Sequence, residues 1–274
     1  MIYVNAISSL PDDLAKKDEL YSEFIPPMAA RRMGPSLKDS IVTSVLALRD
    51  SGISMPDAIV VGTGLGCINN TEKFLKEMID NRERMLQPTA FINSTHNSIA
   101  AQTAVYLKCH SYNCTYSHNG ISFESALLDA VMQLELGRIH TALVGAQDEF
   151  LPDGHCAVTF ALSDQENSST LCAVEDVTVF RTVDDSYFGG RLDAFLERNA
   201  LDLSQIDRIF SDSRLPDGIP FIPITCRRTL TSPAIALETA CRELAGQNSS
   251  DVSKTWLTIN TFDNRDMSFI LIRK

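Results

Sequence analysis

The sequence predicts an α/β protein made of two successive halves of similar element order, folded into α-β-α-β-α layers. Continuous apolar runs such as DAIVVGTG and TALVGA are typical of strands covered on both faces, and they alternate with segments of helical periodicity. A polar stretch at residues 163–169 separates residues 1–165 from residues 166–274. The element order then recurs in a shorter form, so we expect a duplicated fold with a reduced C-terminal half and a mostly parallel sheet.

The first half is predicted to contain five strands and four helices. Ser36 can cap a helix that ends near Asp50, and Thr71 can begin the next helix. A helix from Ser122 to Leu136 follows NCTYS. The predicted strands are IYVNAI, DAIVVGTG, NCTYS, TALVGA and HCAVTFAL, and the predicted helices span residues 36–50, 71–80, 95–108 and 122–136.

The second half repeats this alternation with shorter elements. Pro233 suits the first turn of a helix, where its missing N–H costs little. TWLTIN and MSFILI form the terminal pair of strands. The remaining predicted elements are strands at residues 171–180 and in IDRIF, and helices at residues 190–198 and 233–244.

Composition excludes several classes of protein. A hydrophobic content of 44% with 22% charged residues is typical of a soluble globular protein, and no apolar run is long enough to span a bilayer. The N-terminus lacks the basic start of a signal peptide, so we expect a cytoplasmic protein. A net charge of −11 argues against nucleic acid as a partner, because phosphate neutralisation supplies most of that affinity. Seven cysteines without close pairing fit a reducing compartment.

Residues 88–149 carry the most informative motif of the chain. The segment resembles the active-site half of a β-ketoacyl synthase of the thiolase fold, whose pattern runs G-P-x-x-T-x-x-x-A-C and continues through a helix to a glycine. Thr115 fits the threonine of this pattern, and Gly137 fits the later glycine. Counting from either residue places Gly120 where the nucleophilic cysteine belongs. A glycine cannot form a thioester.

The family's two catalytic histidines are also missing. IDRIFSDSRLPDG resembles the segment that carries the first histidine, and Asp212 stands at that position. TLTSPAIALETACREL resembles the segment of the second histidine, and Thr229 stands there. Residues 156–274 contain no histidine, so neither imidazole can be replaced from nearby sequence. NTFDNRDMSFILI is similar to the closing N-S-F-G-F-G-G strand pair of the family. The resemblance therefore implies a ketosynthase-like acyltransferase fold without catalytic activity of its own.

Within the superfamily, the chain resembles short chain-length-factor-like proteins of bacterial aryl polyene and flexirubin-type pigment clusters. PTAFINSTHNSIA and SFESALLDA carry this likeness. It implies a silent subunit that forms a heterodimer with an active ketosynthase, shapes the tunnel for the growing chain and works with an acyl carrier protein. Apolar residues at helical spacing are usually core, so the tunnel candidates rest on their position near Gly120. The tunnel-lining candidates are Phe91, Ile121, Phe123 and Leu127, and the interface candidates are His96 and Asn97.

Two other functions stay open. The first is a thiolase-fold acyltransferase or hydrolase with Ser117 or Cys114 as substitute nucleophile. His118 could not serve as the base of Ser117, because adjacent side chains on a strand point to opposite faces. The second is a homodimeric acyl-binding protein without a catalytic partner.

No metal or cofactor is expected. Tight C-x-x-C pairs are absent from the densest group of possible ligands, which comprises His96, Cys109, His110, Cys114 and His118. GTGLGC follows a strand, but Cys67 takes the place of the third glycine of a dinucleotide fingerprint.

Polar residues near these motifs have structural interpretations as well. We expect Asp148 and Glu149 to make structural hydrogen bonds, and Ser94 or Thr95 to cap a helix beside a half-exposed His96. A carrier protein is itself acidic, so it would need a basic patch. The candidates for that patch are Arg31, Arg32, Arg227 and Arg228.

Overall fold

A computed structural model describes residues 1–11, 13–150, 154–181, 187–224, 230–247, 253–263 and 265–274. Within these residues, ten strands form one continuous sheet. The strands are β1 (Ile2–Ser9), β2 (Ala58–Gly62), β3 (Tyr112–Tyr116), β4 (Thr141–Phe150), β5 (Gly154–Ser163), β6 (Cys172–Phe180), β7 (Arg208–Ser211), β8 (Ile222–Pro223), β9 (Thr255–Phe262) and β10 (Asp266–Arg273).

Helices of the described residues cover the sheet on both faces. They are α1 (Leu14–Phe24), α2 (Pro27–Ala30), α3 (Pro35–Ser51), α4 (Ile68–Asp80), α5 (Pro88–Ile92), α6 (Ser98–Leu107), α7 (Ser122–Glu135), α8 (Phe188–Arg198) and α9 (Pro233–Ala245). Short 3-10 turns at Asn119–Ile121 and Leu203–Gln205 precede α7 and β7. None of the described helices combines the length and the apolar composition needed to cross a bilayer.

The strand order confirms the predicted duplication. From one edge to the other it is β3-β2-β4-β5-β1-β6-β10-β9-β7-β8. Each half has the same order from its outer edge to the centre, with β6 to β10 taking the places of β1 to β5. Antiparallel pairing of β1 with β6 joins the halves. The second half is the shorter, as predicted, and its strands β7 and β8 have only four and two residues.

The prediction of a mostly parallel sheet is wrong. Only β2–β3, β2–β4, β7–β8 and β7–β9 pair in parallel, whereas β1–β5, β1–β6, β4–β5, β6–β10 and β9–β10 are antiparallel. The strands of the β4–β5 and β9–β10 pairs are consecutive in the chain with no helix between them, so they pair as hairpins. Their continuous apolar runs reflect helices on both faces of the sheet and carry no information about strand direction.

Helices α3 and α4 begin earlier than predicted. Helix α3 starts at Pro35, and the hydroxyl of Ser36 donates to the Glu149 carboxylate instead of capping the helix. Helix α4 starts at Ile68, whereas Thr71 lies inside its first turns and donates to the backbone. In both cases the hydroxyl of a residue that could cap a helix donates a hydrogen bond elsewhere. Local sequence does not reveal this other acceptor.

The central helix of the molecule is α7. It contacts β2 and β4 of the first half and β6 of the second half, and α9 packs beside it. Phe123 and Leu127 are fully buried there, and the ring centroid of Phe123 lies 5.2 Å from that of Phe160. Helices α3 and α6 cover the outer face of the first half, and α8 covers the outer face of the second. The N-terminal end of α7 therefore lies where the two halves meet.

Candidate active site at the head of helix α7

Gly120 lies in the 3-10 turn that leads into α7, and it is buried. The ring of Phe262, the last residue of β9, lies against its Cα. A methyl carbon built on Gly120 would be only 2.2 Å from Cδ2 of Phe262, well inside the usual carbon–carbon contact distance of about 3.5–4 Å. The space that any side chain at this position would need is therefore occupied by an aromatic ring from the second half of the molecule.

Hydrogen bonds tie the head of α7 to β9 and β10. The Asn260 amide donates to the Gly120 carbonyl at 2.9 Å and to Oε1 of Glu124 at 2.8 Å. The Ser268 hydroxyl donates to the same Oε1 at 2.8 Å. All three of these side chains are buried, so the bonds join elements of different halves across the core.

Glu124 is fully buried in the first turn of α7. Oε1 has the two donors just described, whereas Oε2 has no hydrogen-bond partner among the described residues. The pKa of Glu124 is raised to about 7, mainly by burial and also by the negative charge of Asp212, against the hydrogen bonds that lower it. At neutral pH the protonated and ionised forms are therefore both populated.

Asp212 follows β7 and lines the same small cavity as Glu124, Asn260 and Ser268. It accepts a hydrogen bond from the Ser232 hydroxyl. The cavity leaves no room for a water molecule. The structure thus brings Asp212 to the head of α7, as the resemblance implied for this position, whereas Thr229 lies outside the described residues.

His118 and Ser117 precede Gly120 and have different surroundings. His118 Nδ1 lies 2.9 Å from the Ser125 hydroxyl, which donates its own proton to the Ile121 carbonyl, so Nδ1 carries the hydrogen. Burial lowers the pKa of His118, and the positive charge of Arg181 adds to this. Ser117 is exposed, and no hydrogen bond joins its hydroxyl to an imidazole or carboxylate of the described chain. Cys114 is half-buried on β3.

The tunnel-lining candidates do not form one group. Ile121, Phe123 and Leu127 are fully buried in the core of this chain. Phe91 lies on α5 and is 57% exposed, with its ring centroid 5.8 Å from that of Phe74 on α4. Among the four candidates, Phe91 is therefore the residue that a second molecule can reach.

Phe91 is one of several large apolar side chains exposed in this part of the chain, which we call the α4–α5 surface. Its large exposed side chains come from α4, α5 and the loop between them, and a cavity of about 590 Å³ lies between the two helices. Phe74 and Met85 contribute apolar atoms to this cavity, and Lys73 and Glu77 lie at its polar side. The members of the surface are Leu75, Ile79, Met85, Phe91 and Ile92.

The interface candidates His96 and Asn97 are exposed just after this surface. The expected cap of the next helix is wrong, because α6 begins at Ser98 and no side chain caps it. Ser94 and Thr95 donate instead to carbonyls of the preceding turn. Among the described residues, no three histidine, cysteine or acidic side chains come together in a way that could hold a metal ion.

Asp148 and Glu149 make structural hydrogen bonds around the GTGLGC turn. Asp148 accepts from the backbone N–H groups of Gly64 and Leu65, at 3.2 and 2.8 Å. Glu149 accepts from the N–H of Asn69 at 3.0 Å, which satisfies a free donor in the first turn of α4. Burial raises the pKa of Asp148. The donors that would hold a phosphate in a dinucleotide site are thus used by the protein's own carboxylates.

The structure describes one of the two arginine pairs proposed for a basic patch. Arg31 and Arg32 follow α2 and are exposed. Arg227 and Arg228 lie outside the described residues.

A family model for the N-terminal domain of β-ketoacyl synthases matches residues 6–175, which is more than half of the chain. The chain belongs to the β-ketoacyl synthase family. A search of curated proteins gives no significant sequence match.

Solved ketosynthase structures share the fold. The ishigamide ketosynthase/chain length factor aligns with a TM-score of 0.75 and 17% identity, over 92% of this chain and 84% of that chain. AntDE:AntF, an acyl carrier protein in complex with its ketosynthase, aligns with a TM-score of 0.79 and 13% identity, over 99% of this chain and 98% of that chain. The ketosynthase ApeO with its chain length factor ApeC from Xenorhabdus doucetiae aligns with a TM-score of 0.55 and 13% identity, over 98% of this chain and 96% of that chain. At these identities the likeness shows the thiolase-like ketosynthase fold.

Sequence reasoning missed two residues of this ketosynthase-like site. Glu124 had a local signal, since a carboxylate stands on an otherwise apolar face of the helix that follows Gly120. Phe262 had only the N-T-F similarity to the family's closing N-S-F motif. Its contact with Gly120 joins two residues far apart in the chain, and no local pattern predicts such a contact.

Proposed function

We propose that this ketosynthase-like chain is a non-catalytic, chain-length-factor-like subunit that pairs with an active β-ketoacyl-ACP synthase. The pathway would make a polyene or a related fatty-acid-like product, of the aryl polyene or flexirubin type. The observation that carries the proposal is Gly120. Condensation begins when a thiolate attacks an acyl thioester, and the residue at the family's cysteine position has no side chain.

The histidine positions support the same conclusion. The family's histidines stabilise the oxyanion and assist decarboxylation, which needs hydrogen-bond donors. Asp212 stands at the first of these positions, and an ionised carboxylate only accepts hydrogen bonds and would repel a developing oxyanion. Residues 156–274 offer no imidazole as a replacement. Two separate parts of the reaction machinery are thus altered together.

The α4–α5 surface supports a role in association. Large exposed apolar side chains on α4, α5 and the loop between them favour a protein partner. Phe91 can reach across such an interface, and its bulk could set the depth of an apolar tunnel in the partner without any reactive group. His96 and Asn97 would supply polar contacts at the edge of this interface. Arg31 and Arg32 are the described candidates for contact with an acidic acyl carrier protein.

Co-expression with candidate β-ketoacyl-ACP synthases from the same genome tests the proposal. We expect a stable heterodimer by size analysis, and we expect Phe91→Trp to shorten and Phe91→Ala to lengthen the product. Met28→Ala is the matched control, because Met28 is also exposed and apolar but lies on α2. A chain that stays monomeric or homodimeric beside the ketosynthase would contradict the proposal, and a persistent homodimer would favour a homodimeric acyl-binding protein.

A further inference from the structure

The contact between Phe262 and Gly120 is closer than ordinary packing. A methyl carbon on Gly120 would lie 2.2, 2.3 and 2.8 Å from Cδ2, Cγ and Cε2 of the Phe262 ring. These atoms form one edge of the ring, so the ring lies over the Cα in the direction that a side chain would take. An alanine or a cysteine at position 120 fits only if the ring moves away.

The backbone on both sides of Phe262 is fixed. Asn260 bonds to the Gly120 carbonyl, and the N–H of Thr261 donates to the Ser213 hydroxyl at 3.0 Å. The Phe262 carbonyl accepts from the N–H of Arg265 at 3.2 Å, which closes the turn into β10. The ring can therefore leave Gly120 only by rotation of its own side chain, or by breaking this set of bonds.

We propose that Phe262 is a plug that closes a latent acyl site at the head of α7. The proposal rests on the proposed function and names the residue that keeps an acyl chain out of this subunit. Because the ring fills the space that a side chain at position 120 would need, its removal would open a pocket there. With the plug in place, an acyl chain held by the heterodimer lies on the partner's side only.

A thermodynamic cycle tests whether the residues at positions 120 and 262 act as a pair. Gly120→Ala should lower the melting temperature strongly in the natural background, and by less than half as much in a Phe262→Ala background, because the ring that the methyl group meets is gone. Gly190→Ala is the matched control, since nothing lies within 4 Å of its added carbon. Its effect should be the same with and without Phe262. Equal effects of Gly120→Ala in both backgrounds would overturn the plug.

A cysteine at position 120 tests whether removal of the Phe262 ring makes this position accessible to a small reagent. The N-terminus of a helix favours the thiolate, which displaces iodide from iodoacetamide to form a carbon–sulfur bond. We expect Gly120→Cys with Phe262→Ala to gain one adduct by intact mass over Phe262→Ala alone, and Gly120→Cys alone to react at least tenfold more slowly. Circular dichroism confirms that each variant is folded, and Phe262→Leu replaces Phe262→Ala if the latter unfolds.

Equal labelling of the single and double variants, or no extra adduct on the folded double variant, would overturn the proposal. These outcomes are separate from a failure of the proposed function. Acylation of the natural chain at another residue would contradict the non-catalytic role and leave the plug intact. Additivity in the thermodynamic cycle would contradict the plug and leave the non-catalytic role intact.

Discussion

The head of α7 and the α4–α5 surface are opposite in character. At the head of α7, the ring of Phe262 covers Gly120, and the cavity beside Glu124 leaves no room for water. At the α4–α5 surface, large apolar side chains are exposed, and a cavity of about 590 Å³ lies between the two helices. The region that carries chemistry in the family is here packed like a core. The large exposed apolar side chains lie on the surface instead, which is the distribution expected of a subunit that acts by association.

The largest expected effect on the free energy of unfolding distinguishes a buried phenylalanine from an exposed one. Phe123→Ala should lower the free energy of unfolding by about 3–5 kcal/mol, because the ring is fully buried and packs on Phe160. Phe91→Ala on the α4–α5 surface should change it by less than about 0.5 kcal/mol. Urea unfolding at one pH measures both. Similar losses for the two variants would mean that the regions do not differ in packing.

Glu124→Gln tests the buried carboxylate. The folded-state pKa of about 7 lies above the ordinary value of 4.5, so the folded protein binds this proton more tightly than the unfolded chain. Stability should therefore fall as the pH rises from about 4.5 through 7, by about 3 kcal/mol in total for such a shift.

Urea unfolding at pH 5 and pH 8 measures this difference for Glu124→Gln. The amide cannot ionise, so the variant should lose most of the fall and gain stability at pH 8 relative to the natural chain. Glu135→Gln is the control, since Glu135 is exposed on the same helix. An unchanged pH slope in Glu124→Gln would show that this carboxylate does not carry the dependence.

Asn260→Ala should cost about 2 kcal/mol of unfolding free energy, because it removes a donor from the buried carbonyl of Gly120 and from the Glu124 carboxylate. Asn97→Ala, at an exposed amide near the α4–α5 surface, should cost almost nothing. Thermal unfolding of the two variants compares a satisfied core position with a surface position. A small loss for Asn260→Ala would mean that the link between α7 and β9 contributes little to stability.

The smallest effect on stability is expected from Ile79→Ser. Ile79 is 73% exposed on α4, so the free energy of unfolding should stay within about 0.5 kcal/mol of that of the natural chain. Association with a ketosynthase should weaken by about tenfold or more if the side chain is buried in the interface. Analytical ultracentrifugation with the partner measures this loss, and Met28→Ser is the control. Unchanged affinity would remove Ile79 from the interface.

The sequence predicted the strands other than the two-residue β8, and the duplicated order, because buried strands and amphipathic helices leave strong local patterns. Helix α1 was missed, since five of the eleven residues of LAKKDELYSEF are charged and the segment becomes helical against α3 through a few side chains such as Leu20 and Phe24. Helix α5 was missed because it has only five residues. The direction of strand pairing could not be predicted from apolar runs that look alike in parallel and antiparallel sheets.

Residues of the candidate site could be predicted where the motif that identifies them lies within one segment of the chain. Counting from Thr115 and Gly137 placed Gly120, and the similarity of IDRIFSDSRLPDG placed Asp212. The packing of Phe262 on Gly120 and the bonds from Asn260 and Ser268 to Glu124 all cross between the halves of the chain. Those contacts depend on how β9 and β10 lie against α7, which only the assembled fold defines.

The most direct test of the non-catalytic role is the mass of this chain after incubation with acyl- and malonyl-carrier protein, alone and with its partner ketosynthase. We predict no added acyl mass on this chain and a full acyl adduct on the partner's cysteine. An acyl adduct on this chain that disappears in Ser117→Ala or Cys114→Ala would contradict the account and identify an enzyme with a substitute nucleophile.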